Sequence, residues 1–247
     1  MSKVRILGVI PARYASSRFP AKPLADIGGK SMIQRVYEQA SKCKSLLEVV
    51  VATDHQEIAD EVASFGGKFV MTREDHQSGT DRCYEAYENL NQHFDYVVNI
   101  QGDEPFINPK QIIELIQLLD GATPLATLAK KIDQEDDLMS PNVVKVIFDK
   151  NQKALYFSRS PIPYNRTAAK NNWTGNHDYF KHIGIYAYRT DVLDKITKLK
   201  VSSLENAESL EQLRWLQNGY SIKVNETSYH SIGIDTPEDL EKVKDFY

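Results

Sequence analysis

The chain has 247 residues, enough for one sizeable core, and its 41% hydrophobic and 26% charged residues are ordinary globular usage. Thirty lysines and arginines against 34 aspartates and glutamates leave a net charge of -4, which excludes the broad basic field that holds nucleic acid, so any bound anion must be gripped by a local cluster. The apolar stretch Ile6 to Ile10 is too short for a signal peptide or a bilayer span, and Cys43 and Cys83 lack disulfide or metal spacing, so a cytoplasmic protein with no membrane insertion is expected.

In chain order, Val4 to Ile10 reads as the first strand. It runs into Pro11-Ala-Arg-Tyr-Ala-Ser-Ser-Arg-Phe-Pro-Ala-Lys-Pro23, where prolines fix the loop and Arg13, Arg18 and Lys22 crowd together. Beyond the C-terminal end of a strand in an open α/β sheet, such cations and free backbone N–H groups suit a polyphosphate; a solvated basic loop is the plainer alternative. Gly28-Gly29-Lys30-Ser31 imitates the end of a Walker A loop, but the first glycine of that motif would fall at Leu24, and no G-x-G-x-x-G follows a strand. ATPase and NAD-binding readings lose their support.

Helical spacing covers Ser31 to Lys42, His55 to Phe65 and Pro109 to Leu119, alternating with strands at Glu48 to Thr53, Lys68 to Met71 and Tyr96 to Ile100. That alternation predicts an α/β fold with a mixed, mostly parallel sheet and helices on both faces. From Val143 the pattern changes to strands separated by turns, at Val143 to Phe148, Ala154 to Ser158 and Ile183 to Tyr188, so about 143–188 is read as an inserted antiparallel sub-region of a single domain spanning 1–247. The polar stretch Asn165 to His177 reads as a loop or lid. Helical periodicity returns from Leu204 to Asn218, and Thr236, Pro237 and Asp239 open a final helix as cap, first-turn proline and third residue.

Asn99-Ile-Gln-Gly-Asp-Glu-Pro105 ends the fourth strand and brings Asp103 to the sheet edge that carries Arg13 and Lys22. A carboxylate beside a polyphosphate site suggests Mg2+, with Asp235 as a second ligand; a turn residue at Asp103 and a helix cap at Asp235 are the alternatives.

The motifs Ile10-Pro-Ala-Arg-Tyr-Ala-Ser-Ser-Arg18, Lys22-Pro-Leu, Ala52-Thr-Asp-His, Asp75-His-Gln-Ser-Gly-Thr-Asp-Arg82, Gln101-Gly-Asp-Glu-Pro, Ala154-Leu-Tyr-Phe-Ser-Arg159, His182-Ile-Gly-Ile-Tyr-Ala-Tyr188, Leu210-Glu-Gln-Leu-Arg and Asp235-Thr-Pro-Glu-Asp-Leu span the chain. In this order they resemble the 3-deoxy-manno-octulosonate (Kdo) cytidylyltransferases, the CMP-Kdo synthetases of lipopolysaccharide synthesis. Two departures are Ala21 and Ser31, where that family often has Gly and Pro.

The resemblance implies a nucleotide-diphospho-sugar transferase (Rossmann-like) fold, CTP and Kdo as substrates, a Mg2+ requirement and a homodimer to which the 143–188 region contributes. It implies that Arg13 and Lys22 hold the CTP phosphates, that Ser17, Gly79, Thr80 and Gln101 bind the nucleotide, and that Asp103 and Asp235 hold the metal, with Arg13, Lys22 and Asp103 carrying catalysis. Arg159, His182, Tyr186, Glu211 and Gln212 would face the sugar acid. On residue chemistry alone, Arg159 suits a carboxylate or a structural ion pair equally, His182 suits packing better than proton transfer, and Glu211 and Gln212 could lie on a solvated helix face. No catalytic role falls to His55 or His76.

Another acidic sugar, such as amino-Kdo or a sialic acid, or a non-catalytic nucleotide-sugar sensor, are the competing readings. A glycosyltransferase is disfavoured because no two Asp residues stand two apart.

Overall fold

A computed structural model describes residues 4–15, 19–169, 172–230 and 232–246. Its strands are β1 (Ile6–Ala12), β2 (Glu48–Thr53), β3 (Phe69–Met71), β4 (Tyr96–Asn99), β5 (Leu125–Lys131), β6 (Lys145–Phe148), β7 (Ala154–Ser158), β8 (Phe180–Arg189) and β9 (Ile222–Glu226). The main sheet has the order β3-β2-β1-β4-β8-β5-β9. Six of these strands run one way and β8 alone runs against them, paired antiparallel to β4 on one side and β5 on the other. The antiparallel hairpin β6–β7 leaves this path and touches β8 at the Lys145–Lys181 pair. Thus β8 belongs both to the antiparallel sub-region and to the centre of the main sheet.

Helices cover both faces, which is why β1, β2 and β4 are nearly continuous apolar runs rather than alternating ones. On one face lie α1 (Met32–Ser41), which buries Met32, Ile33, Val36 and Ala40, and α2 (Gln56–Ser64), which buries Ile58, Ala59 and Val62. Beyond α3 (Gly79–Asn89), which belongs to the other face, α4 (Pro109–Ile116) completes this layer by burying Ile112 and Leu115. The opposite face takes α3 with α6 (Thr190–Ile196), which follows the short α5 (Glu135–Met139), and, beyond α7 (Ser203–Glu208), takes α8 (Gln212–Gln217), whose Leu213 and Trp215 join Cys83, Ala86 and Tyr188 in a second core. The helical stretch expected over Leu204 to Asn218 is two helices, because Ser209 adopts the left-handed conformation at φ 52° and breaks it. The final helix α9 (Pro237–Glu241) has the expected reciprocal cap between Thr236 and Asp239.

Candidate active site

The exits of β1 and β4 lie side by side, and the loops that follow them pack tightly. A Cβ on Gly102 would lie 2.7 Å from the carbonyl oxygen of Pro11, so only glycine lets the Gln101-Gly102-Asp103 turn pass this close. The first loop returns through Ala21, whose φ of 54° is left-handed and whose N–H donates to Tyr14 O at 3.1 Å. A glycine would adopt that conformation without cost, which gives the departure at Ala21 a physical meaning. Lys22 then opens a short 3-10 turn, Lys22–Leu24.

Lys22 joins the three segments. Its Nζ donates to Asp103 Oδ2 at 2.8 Å and to Asp235 Oδ1 at 3.1 Å, partners 81 and 213 positions away. The Lys22 side chain is only 16% exposed. The C-terminal segment is stitched in place by Ile234 N–H donating to Asp103 O at 2.9 Å. Capping of α9 falls to Asp239, which accepts from the N–H groups of Asp235 and Thr236 at 3.1 Å each, so the Asp235 carboxylate turns to Lys22 instead of serving as the cap. Arg13 is exposed and has no bonding partner among the described residues. Ser17 and Arg18 lie outside the described residues.

The loop is braced from β2 by residues to which the sequence reading gave no role. Asp54 accepts from Tyr14 N–H at 3.3 Å and from the Arg82 guanidinium at 2.6 Å, and Arg82 also donates to Thr72 Oγ1 at 2.6 Å. His55 stacks on Tyr14 with ring centroids 3.8 Å apart and caps α2, whereas His76 is engaged by Glu85. The signal for Asp54 and Arg82 was present in their motifs, but an ion pair made across 28 positions has no local pattern.

The N-terminus of α3 faces the same edge. Ser78 caps it, and a Cβ on Gly79 would sit in ordinary contact with Pro11 and Asn99, which places Gly79 at the exits of β1 and β4. Thr80 is buried and donates to Glu211 Oε2 at 2.8 Å. Glu211 stands where the broken helix restarts as α8; burial pushes its carboxyl up, opposed by hydrogen bonds from Thr80 and Ser78. Gln212 beside it is buried and Glu211 is half-buried, so neither residue lies on a fully solvated helix face.

On β8, a bulge between Thr127 and Leu128 leaves Gly184 and Ile185 without ladder partners on β5. The Gly184 carbonyl accepts from Gln101 Nε2 at 2.7 Å, which ties the β4 exit loop to β8. Thr127 Oγ1 lies 3.0 Å from His182 Nε2, and its single proton goes to the Ile185 carbonyl at 2.8 Å, with the Ile183 carbonyl at 3.1 Å as the alternative acceptor within the bulge. Burial lowers His182 to about 3, so its imidazole is neutral at ordinary pH. It lines a cavity of about 240 Å3 together with Asn142, Lys181, Gly184 and His230. Tyr186 packs at 5.1 Å from His182, and its buried hydroxyl has no partner among the described residues.

Arg159 lies one residue past the end of β7. Its guanidinium donates to the carbonyls of Glu208 at 2.7 Å, Pro141 at 2.9 Å and Ser209 at 3.4 Å, while its N–H donates to the Glu208 carboxylate at 2.8 Å. It pins β7 to the break between α7 and α8.

Asp103 and Asp235 are the carboxylates that could hold a metal. Among the described residues no group of three or more His, Cys, Asp or Glu side chains forms a metal cluster. Two carboxylates already converging on one cation suit Mg2+, which takes few protein ligands and fills its sphere with water and substrate oxygens. No helix of the described residues is long and apolar enough to cross a membrane.

Residues 7–226 match the family model described as cytidylyltransferase. The chain is 56% identical over 243 residues to the 3-deoxy-manno-octulosonate cytidylyltransferase of Cytophaga hutchinsonii, covering 98% of this chain and 97% of that one. It is likewise 56% identical over 247 residues to the protein of that name from Bacteroides thetaiotaomicron, with 98% of each covered. A solved CMP:2-keto-3-deoxy-manno-octonic acid synthetase complexed with CTP superposes with a TM-score of 0.91 at 47% identity over 98% of both chains. The 4-diphosphocytidyl-2C-methyl-D-erythritol synthase of Anaerococcus prevotii, at 16% identity, shares the fold with a TM-score of 0.65 over 99% of both chains. With identity sustained from end to end and the sheet-edge motifs assembled around Lys22, the chain belongs to the 3-deoxy-manno-octulosonate cytidylyltransferase family of nucleotidyltransferases.

Proposed function

We propose that the protein transfers the cytidylyl group of CTP to the anomeric 2-hydroxyl of Kdo, giving CMP-Kdo and pyrophosphate and activating Kdo for lipopolysaccharide synthesis in the cytoplasm. The observation that carries this reading is the Lys22 ammonium held between Asp103 and Asp235 at the exits of β1 and β4. The sugar hydroxyl oxygen bonds to the α-phosphorus, the bond to the departing pyrophosphate breaks, and the hydroxyl proton leaves. Such a transfer asks the protein for positioning and for cations placed where phosphoryl charge builds up.

Lys22 and the exposed Arg13 supply those cations on the phosphate side. Gly79 and Thr80 at the start of α3 lie by the base, and Gln101, fixed to Gly184, lies against the nucleotide. Ser17 belongs to the same phosphate loop. Asp103 and Asp235 would hold Mg2+, which when bound neutralises phosphate charge and makes a coordinated hydroxyl more acidic.

Tyr186, Glu211 and Gln212 line the sugar side with His182, which acts as a neutral hydrogen-bonding group and not as a proton carrier. Arg159 bounds that side and sets the α7–α8 break from which Glu211 projects. Arg159→Ala is therefore expected to lower stability by about 1–3 kcal/mol and to raise the KM for Kdo with CTP affinity retained. A urea transition together with a CTP titration checks this; a parallel fall in CTP affinity would make the residue a general structural pin.

We further propose one domain over 1–247 acting as a homodimer, with the 143–188 region at the contact. Leu155, 58% exposed, and Tyr164, 70% exposed, support that placement.

Pyrophosphate release tests the whole reading. It is expected from CTP with Kdo, weakly or not at all when ATP replaces CTP, and not in excess chelator. Equal turnover with ATP or full activity without divalent cation would overturn it, and faster turnover of amino-Kdo or a sialic acid would reassign the sugar.

A further inference from the structure

The Thr80 hydroxyl is engaged entirely within the protein. Its single proton goes to Glu211 Oε2 at 2.8 Å. With that proton committed, the 3.3 Å contact between Thr80 Oγ1 and Tyr188 Oη is a bond donated by the tyrosine. Tyr188 Oη in turn accepts from Asn99 Nδ2 at 3.3 Å. The chain runs one way, from Asn99 through Tyr188 and Thr80, with every donor directed toward the Glu211 carboxylate. Asn99, Tyr188 and Thr80 are buried, so water does not compete for these bonds.

We infer that Thr80 is a positioning residue for Glu211 and that its side chain does not read the base. The base contact at Gly79 and Thr80 is left to the main chain, and the hydroxyl aims the Glu211 carboxylate at the hydroxyls of the sugar acid. The strand that delivers Gln101 and Asp103 thereby fixes a group on the sugar side. This rests on the reading of Glu211 as a sugar contact.

The electrostatic surroundings of Glu211 make the donor matter. Asp81 on α3 raises its carboxyl and Arg214 on α8 lowers it. Cys83 on α3 and Tyr186 and Tyr188 on β8 also face it, and all three are driven by burial toward their neutral forms. Desolvation is the largest influence on Glu211 and favours protonation, so the ionised form depends on the bonds from Thr80 and Ser78. Removing the Thr80 bond moves the carboxyl further up, and activity that needs ionised Glu211 is then lost at a higher pH as the solution is acidified.

Thr80→Val and Thr80→Ser in the full-length protein test this. Thr80→Val is expected to raise the KM for Kdo about tenfold with CTP affinity changed by less than about twofold, and to shift the acid limb of kcat/KM for Kdo to higher pH. Thr80→Ser, which keeps the hydroxyl, is expected to restore both. Lost CTP affinity with an unchanged Kdo KM would make Thr80 a base reader and overturn the inference, as would an unmoved acid limb.

If Thr80→Val does not fold, Tyr188→Phe removes the donor behind Thr80 and carries the same expectations at smaller size. If the unaltered protein releases no pyrophosphate from CTP and Kdo, the functional reading fails separately. The Thr80–Glu211 relation is then judged on the ligand-free protein by carboxyl-carbon NMR, where the Glu211 midpoint must rise in Thr80→Val and return in Thr80→Ser; an unmoved midpoint overturns it.

Discussion

Asp103→Asn and Asp235→Asn are each expected to cut turnover on the order of a hundredfold or more while the protein stays folded. Each change removes a negative charge with almost no change in volume, and Lys22 keeps its other carboxylate in either variant. The backbone bond from Ile234 to Asp103 O is untouched, as are the α9 bonds to Asp239, so the C-terminal segment stays docked. Because the two carboxylates bracket one cation, they act as a unit, and the double variant is expected to be scarcely slower than the slower single one. Turnover measured against Mg2+ concentration checks the assignment: high Mg2+ partly restores a variant whose defect is weakened metal binding. An Asp235→Asn variant that melts early but turns over normally would mark Asp235 as a helix-end residue.

Lys145→Met is expected to destabilise the protein by about 2–4 kcal/mol, seen as a lower urea midpoint. Lys145 is fully buried with no carboxylate within salt-bridge distance among the described residues, and its ammonium donates to the carbonyls of Ser140 at 2.8 Å, Val143 at 2.7 Å and Arg159 at 2.5 Å. Methionine fills similar space but takes the ammonium donor from all three carbonyls, of which Ser140 O keeps the Val143 N–H at 3.3 Å. Relief from burying a charge offsets part of that loss, which sets the upper end of the range. Burial lowers the Lys145 pKa in the folded state, so between the folded and unfolded values the unfolded chain binds more protons and stability rises with pH. Lys145→Met is expected to lose this alkaline gain. A variant as stable as the parent would mean that the desolvation cost of the ammonium equals the value of its bonds.

The strands and helices that announced themselves in the sequence share a physical cause. β1, β2 and β4 are β-branched runs buried on both faces, and α1, α2 and α4 carry clean apolar stripes. α3 was missed because its buried face is Thr80, Arg82, Cys83 and Ala86, polar or small residues that blur the helical period. β5 was missed because Leu-Ala-Thr-Leu-Ala-Lys-Lys has one β-branched residue. The short β9 was likewise not read.

In the site, Lys22, Asp103 and Asp235 are legible because each belongs to a short motif that follows a strand or opens a helical turn, and the structure brings them together. The chain from Asn99 to Glu211 was not legible. Its bonds join residues 89, 108 and 131 positions apart, and every one depends on strand order.

The reversed direction of β8 has a consequence for how the chain reaches this arrangement. β3, β2, β1 and β4 can assemble from the first hundred or so residues, whereas β5 and β9 attach to them only through β8. During synthesis the β4 edge therefore stays open until Phe180–Arg189 has emerged, and β5 waits beside it as an unpaired strand. Glu211 and Asp235 emerge later still. Arg13, Lys22 and Asp103 are thus old in the life of each molecule, whereas the sugar side and the second carboxylate on Lys22 are young, so neither half of the site is complete until the C-terminal segment has docked. Any factor that shields exposed strand edges would act on this enzyme during that interval.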